Sequence, residues 1–78
     1  MSDRIQHWTR AGVFSMERVN KLGVVIWELR FADTLLSTYP DPIVGAVDIA
    51  DGVFDARLPE PASSLGVPYD YKDWNMLR

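Results

Sequence analysis

Cysteine is absent from this 78-residue chain, which excludes disulfides, thiolate metal sites and a thiol nucleophile. Histidine occurs once, at His7, too few to build a zinc site from imidazoles. No apolar run nears the roughly 18 to 20 residues that a membrane-spanning helix needs; the longest, residues 24–27, stops at Glu28. The opening Met1-Ser2-Asp3-Arg4-Ile5-Gln6-His7 lacks the apolar core of a signal peptide. A cytoplasmic protein without membrane contact is the expectation. A chain this short buries only about 60% of its unfolded surface. With no covalent staple, such a domain often leans on a partner or on copies of itself.

Signatures of catalysis are missing as well. No Gly-rich loop leads into Lys-Ser or Lys-Thr, and no Gly-x-Ser-x-Gly occurs. Acid–base chemistry needs carboxylates, or a carboxylate and a histidine, held in a pocket that shifts their pKa values. Asp48, Asp51 and Asp55 cluster in sequence, but turn and strand positions explain them, and they are assigned to an acidic surface. The run Asp48-Ile49-Ala50-Asp51-Gly52 lacks the alternating oxygen ligands of a calcium loop. His7 sits in a polar segment and is assigned neither a metal nor a proton-transfer role. The expectation is therefore no enzyme, no cofactor, and no catalytic or metal-binding residue.

What the chain does have is apolar content of 47%, with three Trp, three Tyr and three Phe, enough to fold. Its charge is divided. Residues 1–30 carry a net +2 and residues 31–78 a net −5, giving −3 overall. The two halves could pair within one fold or head to tail between copies. Arg4, Arg10, Arg18 and Lys21 with Trp8 could form a small basic-aromatic patch, but a sequence pI near 4.8 argues against direct nucleic-acid binding.

Patterning predicts a mainly β fold: a small antiparallel sheet or partial barrel built from two hairpins, with room for one short helix and an extended C-terminal tail. Residues 1–10, with Ile5 and Trp8 three apart, suit a short helical turn or an ordered arm. Over residues 13–31 two readings compete. A helix would use the stripe Val19, Leu22, Ile26 and Leu29, and in its longest form gives an α+β alternative with one helix over 15–38. Gly23 and the β-branched Val24, Val25 and Ile26 oppose it. Strands over 13–19 and 24–31, joined through Asn20-Lys21-Leu22-Gly23, are favoured, because Val25, Trp27, Leu29 and Phe31 alternate with Glu28 and Arg30. Residues 32–39 read as a short helix or a loop, ended by Pro40 and Pro42. A second hairpin is predicted from alternation over 43–49 and 53–58 around Asp51-Gly52.

The domain is expected to span residues 1–58, with an N-terminal arm at 1–10. A Pro/Ser/Gly linker would follow over 59–68, and then an aromatic docking segment over 69–78. Tyr69, Tyr71, Trp74, Met76 and Leu77 place five large apolar groups in ten residues, and Tyr and Trp are common interface anchors. Either they pack on their own domain or they meet another chain. The leading functional expectation is a non-catalytic binding or assembly protein, in size and texture like small phage structural or accessory subunits. It would dock to a protein partner, or to itself, through this tail. The alternatives are a small acidic inhibitor acting through Asp48, Asp51 and Asp55, and a minor subunit of an enzyme complex.

Overall fold

The computed structural model describes the backbone of residues 4–77 and the side chains of residues 4–75. Four strands run as an antiparallel meander: β1 (Arg4–Thr9), β2 (Gly12–Lys21), β3 (Val24–Phe31) and β4 (Thr34–Tyr39). A short C-terminal strand, β5 (Asn75–Leu77), pairs antiparallel with the free edge of β1, so the sheet order is β4-β3-β2-β1-β5. The mainly β, antiparallel expectation holds, and so does the hairpin over residues 13–31. The long helix over 15–38 does not form.

Register assigns each side chain to a face, because residues directly opposite one another point the same way. Ile5 opposes Met16, Phe14 opposes Phe31, Met16 opposes Leu29 and Trp27 opposes Tyr39. These residues form the covered face, where Ile5, Phe14, Met16 and Leu29 are almost wholly buried. Arg4, Gln6 and Trp8 of β1, with Val13, Ser15 and Glu17 of β2, point to the other face. No helix packs there among the described residues.

Two strands escaped sequence reasoning. In β1 the inward positions are Ile5, His7 and Thr9, while the largest side chain, Trp8, points outward, so the two-residue period is concealed. In β4 a bulge intervenes: Leu29 opposes Ser37 but Arg30 opposes Leu35, which leaves Leu36 as the extra residue. Leu36 turns into the core, and the alternation is lost at that point.

Residues 42–58 overturn the second hairpin. Pro42–Ala50 form a helix, α1, and Asp55–Arg57 a single 3₁₀ turn. Asp41 caps α1, its carboxylate accepting from the amides of Ile43 and Val44, and Pro42 takes a first-turn position that needs no amide hydrogen. Gly45, Ala46 and Ile49 then fall on one helical face and are buried. At Gly45 the helix comes so near the sheet that a Cβ would lie 2.8 Å from the Met16 sulfur. Asp51-Gly52 ends the helix instead of turning a hairpin. Gly52 has φ +86°, its amide donates to the Ile49 carbonyl and the Val53 amide donates to that of Asp48, the Schellman pattern.

The expected linker is also folded. Ala62–Leu65 form one helical turn, α2, and Ala62, Leu65 and Val67 join the core. The Ala62 amide donates to the Asp55 carboxylate at 3.0 Å, and Arg10 pairs with Glu60 and donates to the Ser64 carbonyl. The segment from 59 to 75 is a strap across the covered face that ends in β5. Among the described residues, no helix is long and apolar enough to cross a membrane.

Candidate functional site

The C-terminal aromatic residues part company. Trp74 is buried on its own chain, 4% exposed, with its ring 5.9 Å from that of His7 and 6.3 Å from that of Phe14. Its indole nitrogen donates to the Pro68 carbonyl at 3.3 Å. For Trp74 the expected docking role is corrected: a lone sheet with one small helix leaves Phe14 uncovered, and the indole fills that space. Met76 and Leu77 lie in β5 by backbone pairing, and their side chains lie outside the described residues.

Tyr69 and Tyr71 behave differently. The strap turns at Asp70, whose carboxylate accepts from the Lys72 amide at 2.9 Å, and runs through the 3₁₀ turn Tyr71–Asp73. This turn sits against α1. Tyr69, Tyr71 and Ile43 line an open hollow of about 360 Å³ with Asp70 and Lys72 at its rim. Tyr69 and Ile43 are more than half exposed, and Val44 stands exposed on the same helix. Asp51 lies within hydrogen-bond reach of the Tyr69 hydroxyl, and that bond with its negative charge pushes the phenol above its ordinary pKa.

Two of the three aspartates assigned to an acidic surface are also engaged within the fold. Asp48 accepts from the Tyr39 hydroxyl at 2.9 Å. Burial, and then this carboxylate, push Tyr39 up to about 12. Asp55 holds the Ala62 amide. Of the three, Asp51 is the most open to solvent. His7 is half-buried on the covered face, and burial lowers its pKa. Among the described residues, no cluster of three His, Cys, Asp or Glu side chains could hold a metal ion.

The uncovered face of the sheet is the second notable surface, and sequence reasoning missed it because β1 and β4 were not recognised as strands. Its central carboxylate, Glu28, is reached by Lys21 at 3.1 Å and by Arg30 at 3.2 Å. Hydrogen bonds from Lys21 and then Arg30 hold its carboxyl below the ordinary range. Beside it lies a hollow of about 240 Å³ lined by Arg4, Ser15, Glu17, Arg30 and Asp33. Against this geometry, family models, curated proteins and solved structures give no match to the chain.

Proposed function

We propose that this chain is a non-catalytic protein-binding subunit, and that its partner docks over the hollow formed by Tyr69, Tyr71 and Ile43. The observation that carries this is the exposure of Tyr69 and Ile43 beside Tyr71 in an open cavity, although this small protein has a Trp74-lined core close by. Exposed Tyr next to aliphatic side chains is the composition of an interface anchor point. The surrounding segment sets the partner's chemistry: residues 31–78 carry a net −5, and Asp51 and Asp70 flank the aromatic rings. The occupant is a basic protein segment that inserts one apolar side chain between the tyrosines, with cations meeting Asp51 and Asp70.

Photo-crosslinking from position 69 in the cell of origin tests this. A defined protein adduct is expected, and it should be lost on Ile43→Asp or Ile43→Lys, both at an exposed position, while the thermal melt stays close to that of the parent. The proposal fails if no adduct forms, or if the same adduct survives both substitutions.

A further inference from the structure

The uncovered sheet face carries a pattern of its own, which does not depend on the hollow beside α1. Three cross-strand pairs of β1 and β2 lie on this face: Arg4 with Glu17, Gln6 with Ser15, and Trp8 with Val13, the middle pair already buried within the chain. In each pair the members match in kind: opposite charges, two polar groups, two apolar groups. Arg4 and Glu17 make no ion pair with one another or with any other described residue, and the Arg4 Nε is buried without an acceptor. Trp8 is 67% exposed, unusual for the largest apolar side chain.

We infer that this face receives a second copy of the same chain, related by a twofold axis that runs parallel to the strands between β1 and β2. Such an axis exchanges β1 and β2. The residues of the two outer pairs then meet their own cross-strand neighbours on the other copy, Arg4 with Glu17 and Trp8 with Val13, with Gln6 and Ser15 beneath them. Closed twofold interfaces require this self-complementarity. Sheets stacked with nearly aligned strands about 10 Å apart form a sandwich. Glu28 is already neutralised by Lys21 and Arg30, so it enters the interface paired. Strands about 4.8 Å apart with about 3.3 Å per residue make the face roughly 450 Å² per copy. That lies at the small end for specific interfaces, so the dimer is weak and concentration-dependent.

Sedimentation or light scattering from about 10 µM to about 1 mM, the range of weak association, should show the mass rising from 8.9 kDa toward twice that value. R4E alone and E17R alone each set like charges opposite one another and should weaken association about tenfold or more. Mixing the two variants should restore it, because R4E in one copy then meets E17R in the other. Circular dichroism checks that each variant is folded. Trp8→Lys, at a largely exposed position, gives a further variant that should stay monomeric. A parent that stays at 8.9 kDa throughout the series overturns the inference. So does a mixture no more associated than its components, or a Trp8→Lys protein that dimerises like the parent.

Discussion

Leu22, Ala32 and Asp33 have φ values of +54°, +48° and +71°, in the left-handed region that costs an ordinary side chain about 1–2 kcal/mol. They occupy the two-residue turns between β2 and β3 and between β3 and β4, where both central residues need positive φ. Leu22 is fully exposed, so no packing offsets the strain. Leu22→Asn and Asp33→Gly should each stabilise the protein by about 0.5–1 kcal/mol, read as a higher urea midpoint at unchanged slope. His7 has the opposite character. Burial keeps its folded pKa below the ordinary value near 6.5, so the folded state binds a proton less readily than the unfolded chain. Stability from this group is complete above about pH 6.5, falls as pH drops below that, and levels off once the folded imidazole is protonated. Urea titrations at about pH 7.5 and about pH 5 should show a difference that His7→Gln reduces. Glu28 contributes in a lower window, since its lowered carboxyl pKa confers stability that is lost only as pH falls through that value.

At the scale of elements, α1 shows how local chemistry outranks pattern. Ile43, Gly45, Val47 and Ile49 alternate as a strand would, yet Gly45, Ala46 and Ile49 equally mark one helical face. The capping carboxylate of Asp41 and the proline at its side tip the balance. Asp41→Ala should cost about 1 kcal/mol, a loss that Asp41→Ser should largely avoid. Gly45→Ala should cost more than its gain in helix propensity, because the methyl meets the Met16 sulfur and the Tyr39 ring; a lower thermal midpoint is the readout. The hairpin of β2 and β3 was legible because Val25, Trp27, Leu29 and Phe31 alternate cleanly against charge. Strand β4 was not, since the bulge at Leu36 breaks its period, and Arg57, which donates to the Leu35 and Leu36 carbonyls at 3.0 Å, stabilises that bulge from 21 residues away. No local window contains that information.

For the whole molecule, the size of the core was legible in composition, whereas the owner of the C-terminal aromatics was not. Five large apolar groups in ten residues require a surface, but Tyr69 and Trp74 look alike in sequence. What separates them is β5: pairing with Arg4–Gln6 places Trp74 over Phe14 and His7, and Tyr69 stays on the rim of α1. Hence Trp74→Ala should cost about 3–5 kcal/mol, enough to unfold much of a protein of this size at moderate temperature, whereas Tyr69→Ala should leave the melt almost unchanged. Ordered side-chain dispersion in near-ultraviolet circular dichroism separates the two outcomes.

The pairing of Arg4 with Leu77 also bears on the order of events during folding. The β1–β4 meander is assembled from neighbours in sequence and closes short loops, while β5 has to find a strand more than seventy residues away, a late and entropically slow step. The transition state should therefore hold the meander formed and the strap still loose. Met16→Ala should slow refolding, and Trp74→Phe should chiefly accelerate unfolding. Stopped-flow chevrons of the two variants would show the difference as opposite arms displaced.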